Sequence, residues 1–222
     1  MKTAQEQFEG AITRLTNPLN GQFPRPWMTD FADPLSAEVF IVGKNQSKSY
    51  DMTRLLHKRH IDALFNRNGE TCRSVYNEIT GDHPSPTRKN IDSFNRILAA
   101  QNISRVLETN VICYSTPMSR DLLLQVHSGG TVRGAEIFRT LLHYVKPKVL
   151  IAHGAGTRDT LGKLFGVTLP EPPTQNGEPH HSSVNGMKVF IIPSLAPPQW
   201  NKWQVWAPLF MEKVAKAVAR AL

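Results

Sequence analysis

The chain has 222 residues, 40% hydrophobic and 20% charged, with a net charge of +8 and a pI of about 9.7. That length suits one domain, expected over residues 1–222, with enough apolar material for a core, and the composition excludes a disordered or fibrous chain. No apolar run approaches the ~20 residues that cross a bilayer, and the N-terminal segment lacks the apolar stretch of a signal peptide, so no membrane partner and a cytoplasmic location are expected.

Phe8, Ile12 and Leu15 recur at helical spacing and predict an amphipathic helix over 3–15, ended by Asn17-Pro18. A proline-rich stretch (Pro18, Pro24, Pro26, Pro34) leads to a first buried strand, Val39-Phe40-Ile41-Val42. A glycine turn follows, Gly43-Lys44-Asn45-Gln46-Ser47. Residues 50–66 read as a helix with Leu55, Leu56, Ile61, Leu64 and Phe65 inside, 67–90 as a polar connection, and 91–103 as a helix through Phe94 and Leu98. The second strand covers about 106–115 and carries Asn110. After Gly129-Gly130 a helix is predicted over 131–145, then the continuous apolar run Val149-Leu150-Ile151-Ala152, a buried parallel strand, and a helix over 157–165. A loop rich in Pro, Gly and His spans 168–187; a last strand (188–192) and a helix from about 204 to 221 close the chain.

Strands alternating with helical patterns predict an α/β fold with one mainly parallel four-stranded sheet covered on both faces. Ligands of such sheets bind beyond the carboxyl ends of the strands, which is where this reading places Asn45, Asn110, His153 and Ser194. Eleven basic residues against six acidic ones between 44 and 105 raise the local concentration of polyanions and fit a nucleic-acid partner.

Several short motifs have simple structural explanations. Cys72 and Cys113 form no Cys-x-x-Cys pair and are expected to be free, buried thiols. His83-Pro84-Ser85-Pro86 is read as a loop, and Gly154-Ala155-Gly156 as tight strand–helix packing. His57 and His60, three apart around Lys58-Arg59, are read as a basic surface face, and no metal site is expected.

In order and spacing, four segments resemble the uracil-DNA glycosylase superfamily over roughly residues 38–200. GKNQS is similar to the Gly-x-Asn-Pro-Gly form of the first family motif, matched at Gly43 and Asn45, with Gln46 and Ser47 replacing Pro-Gly. TNVICYSTP resembles the strand motif of the thermostable branch at Asn110 and Pro117. PKVLIAHGAGT is similar to the third strand and its glycine turn. VFIIPSLAP resembles the second motif, His-Pro-Ser, with Ile192 at the histidine position.

The resemblance implies a three-layer α/β/α sandwich that extrudes a deaminated or damaged base from DNA and hydrolyses its N-glycosidic bond. Asn45 would position the catalytic water. Gly43, Lys44, Gln46, Asn110, His153 and Ser194 would line the base site, with Asn110 reading the base edge through its donor and acceptor. Pro193, Leu195 and Trp200 would engage DNA, with Leu195 as the apolar wedge. The iron–sulfur cluster of the thermostable branch takes four cysteines and this chain has two, so no cofactor is expected. Ile192 removes the donor that normally meets the developing base anion, with His180 and His181 as candidate substitutes. That supports an alternative, a nucleic-acid- or nucleotide-binding protein that keeps the fold and has lost the chemistry. Hydrolysis of a free nucleoside is a third reading.

Overall fold

The computed structural model describes residues 2–31 and 33–222. In chain order the elements are α1 (Ala4–Leu15), β1 (Gln22–Phe23), β2 (Val39–Gln46), β3 (Tyr50–Asp51), α2 (His57–Leu64), α3 (Cys72–Thr80), α4 (Pro86–Ala99), β4 (Val106–Ser115), α5 (Gly130–Val145), β5 (Val149–His153), α6 (Ala155–Phe165), β6 (His181–Val184), β7 (Met187–Ile192) and α7 (Ala207–Ala219). The fold is α/β: five strands in the order β4-β2-β5-β7-β6 form a mostly parallel sheet flanked by helices. β5 runs parallel to β2, from Val39↔Val149 to Val42↔Ala152, and to β7, from Val149↔Lys188 to His153↔Ile192. Strands covered on both faces read as unbroken apolar runs, which is why these three were visible in the sequence.

The sheet has five strands, not the four expected. β6 lies inside the predicted 168–187 loop and pairs antiparallel with β7, Val184 opposite Met187. The two residues between them, Asn185 and Gly186, have φ of 49° and 79°. Asn-Gly with both φ positive is the favoured two-residue hairpin turn, because its twist matches that of the strands it joins.

Three other elements depart from expectation. The predicted 50–66 helix is the short strand β3 followed by α2. The polar connection holds α3, fixed at one end by Thr71 and Ser74, which cap each other's backbone N–H groups, and at the other by Gly81 at φ 63°. His83-Pro84-Ser85-Pro86 is a helix start: the Ser85 hydroxyl accepts the Arg88 N–H, and Pro86 opens α4, where its missing N–H costs nothing.

The chain divides into two compact units, one of residues 1–37, 43–82 and 107–146 and the other of 38–42, 83–106 and 147–222. In the second unit α7 packs on α4, and Val39, Ile41, Phe94, Leu98, Ile151 and Phe210 belong to one buried cluster. In the first unit α1 packs on α5; Phe8 stacks on Trp27 at 5.9 Å and meets the edge of Phe65 at 6.1 Å. A β-carbon on Gly134 of α5 would sit 2.8 Å from the backbone nitrogen of Cys113 and 2.9 Å from Ile112 Cγ2. Gly134→Ala is therefore expected to lower stability by about 1–3 kcal/mol through overpacking. Gly10→Ala, where the new methyl meets nothing within 4 Å on exposed α1, should raise it by up to about 1 kcal/mol. Urea unfolding of the two variants checks both signs.

Candidate functional site

Gly43 lies within β2 instead of opening a turn, because the strand continues to Gln46. The extension is held from distant parts of the first unit: Thr116 N–H donates to the Gln46 carbonyl (3.0 Å), and Gln46 Nε2 donates to the Arg25 carbonyl (2.7 Å). Lys44 and Asn45 are half-exposed and Gln46 is buried.

Three groups fix the Asn45 amide. Its Nδ2 donates to Thr116 Oγ1 (2.8 Å) and to the Gln46 carbonyl (3.2 Å), while Ser119 Oγ donates to its Oδ1 (2.6 Å). Thr116 Oγ1 passes its own proton to the Met118 carbonyl (2.8 Å). A carbonyl acceptor on the Nδ2 side settles which end of the amide is nitrogen. Both N–H groups are consumed, and Oδ1, with two lone pairs, keeps one without a partner among the described residues. Asn45 is thus a fixed acceptor aimed by its surroundings. Thr116 and Ser119 were not singled out in the sequence; the run Ser115-Thr116 followed by Ser119, just past a buried strand, was the available signal.

Asn110 sits in the middle of β4, not at its end. Cys113 Sγ lies 3.1 Å from the Asn110 carbonyl and 3.5 Å from Thr109 Oγ1. Residues three apart in a regular strand are separated by roughly 10 Å, so the chain departs from regular extension between Thr109 and Cys113. Thr109 Oγ1 donates to the Pro26 carbonyl (2.6 Å) and anchors the start of this stretch. The Asn110 side chain is half-exposed and has no hydrogen-bond partner among the described residues, so its amide is open at both ends; it is not one of the groups that hold Asn45.

One segment lies behind both motifs. Pro24 accepts from His60 Nε2 (3.0 Å), Arg25 from Gln46, and Pro26 from Thr109. His60 belongs to the core rather than a basic surface: it is 1% exposed, packed against Phe23 and Tyr50, and burial pushes its pKa down to about 4. Arg25 is also buried. Its guanidinium carbon lies 4.9 Å from the centre of the Tyr50 ring and 5.6 Å from that of Tyr76, and Nε and Nη1 have no hydrogen-bond partner among the described residues. Cys72 and Cys113 are free and buried as expected, and burial pushes their thiols up to about 12 and about 11.

The second unit holds His153 at the end of β5 and Ser194 two residues past β7. Gly154 has φ 88°, and a β-carbon there would lie 3.2 Å from Ser194 Cβ, so glycine is required by conformation and by close approach. His153 Nδ1 is sealed without a partner among the described residues, and burial lowers the pKa to about 4, keeping the ring neutral. Ser194 Oγ accepts the Ala196 N–H (3.1 Å), and its carbonyl accepts Trp203 Nε1 (2.8 Å).

The stretch expected to reach DNA turns inward instead. Pro193 and Leu195 are buried, Leu195 at 0% exposure. Trp200 packs edge-on against Trp203 at 5.0 Å. The Leu195 carbonyl is tied to Asn90 Nδ2 at 2.8 Å, so this leucine is core and no wedge. Ile192 is buried in the same cluster and offers no polar group. His181 is on edge strand β6, where its ring leans on Phe190 at 5.3 Å. The chain matches no protein-family model and no curated protein.

Proposed function

We propose that this is a uracil-DNA glycosylase-like protein, a three-layer α/β/α member that receives a base extruded from DNA and hydrolyses its N-glycosidic bond. The observation that carries the reading is the Asn45 amide, locked so that one Oδ1 lone pair is left. In N-glycoside hydrolysis the sugar gains oxocarbenium character while the base departs with negative charge. A fixed acceptor next to the anomeric carbon orients the attacking water without taking its proton, since an amide is a very poor base; that proton is released to solvent, from which the departing base anion takes its own. The open amide of Asn110 supplies the donor and acceptor that a uracil-type edge presents in reverse. Gly43, Lys44 and Gln46, on the same strand as Asn45, are proposed as the remaining base-site residues of this unit.

Ile192 favours the second reading, a binder that no longer cuts. Loss of one donor to a developing anion typically costs ~10²–10³ in rate, and burial of Ile192 in an apolar cluster leaves no side-chain substitute at that position.

Duplex and single-stranded oligonucleotides carrying uracil, hypoxanthine, xanthine or a mismatch, incubated with the protein and then treated with alkali, separate the readings. Slow, lesion-dependent strand cleavage is expected. Asn45→Ala should reduce it about tenfold to hundredfold, and Ser119→Ala by less, because it frees the amide without removing it. Retardation of DNA at low salt with no cleavage of any substrate would leave the binding reading standing and sink the enzymatic one.

A further inference from the structure

The segment between β4 and α5 carries an unusual run of exposed aliphatic side chains. Leu123 is 90% exposed and Val126 66%, with Met118 and Leu124 half out of the surface beside them. Scattered exposed apolar residues are ordinary, whereas a cluster within ten residues marks an interaction surface.

Its base is not loose. Ser119 is bonded to Asn45, the Met118 N–H to Asp121 Oδ2 (2.9 Å), and His127 Nδ1 to Tyr114 Oη (3.1 Å). Asn20 Nδ2 bonds both Tyr114 Oη (3.0 Å) and the Ser128 carbonyl (2.9 Å). The ridge is therefore held at both ends while Leu123 and Val126 project, and the entropy of ordering it has been met in folding rather than in binding.

Charge identifies the occupant. Lys44 and Lys48 flank Asn45, and the Lys48 carbonyl is tied to Ser115 Oγ at the end of β4 (2.9 Å). Arg120, 78% exposed on its side chain, stands on the ridge itself, against the single carboxylate of Asp121. An aliphatic edge that carries Arg120, rooted through Ser119 in Asn45 with Lys44 next to it in the strand, suits a polyanion whose interior is apolar and stacked.

We infer that the 118–127 ridge is the surface that enters a nucleic-acid duplex, with Leu123 and Val126 pressing into the base stack beside the extruded nucleotide. This rests on the nucleic-acid reading proposed above. It moves the wedge away from Leu195, which is buried, to a segment that is exposed and joined by a hydrogen bond to Asn45. Aliphatic insertion between bases offsets part of the unstacking cost and holds the gap open.

The test uses a duplex with 2-aminopurine next to a mismatched base, read by fluorescence as the stack opens. Wild-type protein is expected to bind in a salt-dependent way and raise the fluorescence. Leu123→Ser with Val126→Ser, both at exposed positions, should keep the wild-type melting temperature, lose the fluorescence rise and bind about tenfold more weakly. Unchanged fluorescence and affinity in the double variant would overturn the ridge while leaving the base-site reading intact. No binding by the wild-type protein would overturn both. A wild-type dimer converted to monomer by the double substitution, with DNA affinity unchanged, would assign the ridge to a second copy of the chain instead.

Discussion

Between pH 6.5 and pH 4 the protein is expected to lose about 3 kcal/mol of stability through His60 alone. The ordinary imidazole value of 6.5 applies to the unfolded chain, whereas burial lowers the folded value to about 4. Within that window the unfolded state binds a proton that the folded state refuses, so stability falls as pH falls; it is complete above 6.5 and levels off, for this group, below 4. The ring donates Nε2–H to the Pro24 carbonyl, which fixes the neutral tautomer, and is hemmed in by the rings of Phe23 and Tyr50. Protonating the other nitrogen places a cation among those aromatic faces, with His57 and the Arg25 charge both opposing it.

Urea unfolding across this pH range gives the measurement, and His60→Gln the control. Glutamine presents its amide nitrogen near the Nε2 position without titrating, so the slope between pH 6.5 and 4 should flatten by the His60 share. Parallel loss of stability in wild type and variant would show that His60 is not its source. His153 adds loss in the same window, because its pKa is also lowered to about 4 by burial. The carboxylates of Glu38 and Glu78 contribute differently. Hydrogen bonds to Lys148 and Arg59 respectively hold them below their ordinary 4.5, so their stabilisation is present above 4.5 and fades only at more acid pH.

His60 also marks where the sequence was legible. Strands β2, β5 and β7 and helices α1, α5 and α7 announce themselves locally, through apolar runs or a repeat near 3.6 that one face of the element must bury. Asn45 was visible because it follows such a strand. What holds it was not: Thr116 and Ser119 lie 71 and 74 residues away, and Gln46 is kept in the strand by a carbonyl 21 residues upstream. The burial of His60 is non-local in the same way, since its partner Pro24 lies 36 residues before it and Lys58-Arg59 disguise it as surface. Leu195 was misread because a leucine after Pro-Ser says nothing of its direction, which Asn90 sets from 105 residues away. The β6 hairpin and α3, by contrast, carried plain local signals in Asn185-Gly186, Thr71, Ser74 and Gly81 that composition obscured.

Arg25→Met is expected to raise the unfolding free energy by about 1–4 kcal/mol. The guanidinium is 7% exposed, has no ion pair among the described residues, and leaves Nε and Nη1 without partners. Two tyrosine faces at 4.9 and 5.6 Å return part of the desolvation cost, but a charge buried without a counter-ion still stands several kcal/mol below an apolar side chain of similar length. Methionine keeps the stem against Tyr50 and Tyr76 and removes the charge. Arg25→Lys should do the reverse and destabilise, because a compact ammonium cannot lie flat between the rings. A higher urea midpoint at unchanged slope for Met, with a lower one for Lys, is the expected pattern; destabilisation by Met would mean that the charge has a partner in solution. The two predictions are coupled. Arg25 contributes to holding His60 neutral, so Arg25→Met should also move the His60 transition up towards 6.5 and shrink the acid loss. Since the Arg25 carbonyl carries Gln46 and its neighbour Pro26 carries Thr109, a variant that is more stable yet weaker on DNA would place this buried charge in the service of the base site.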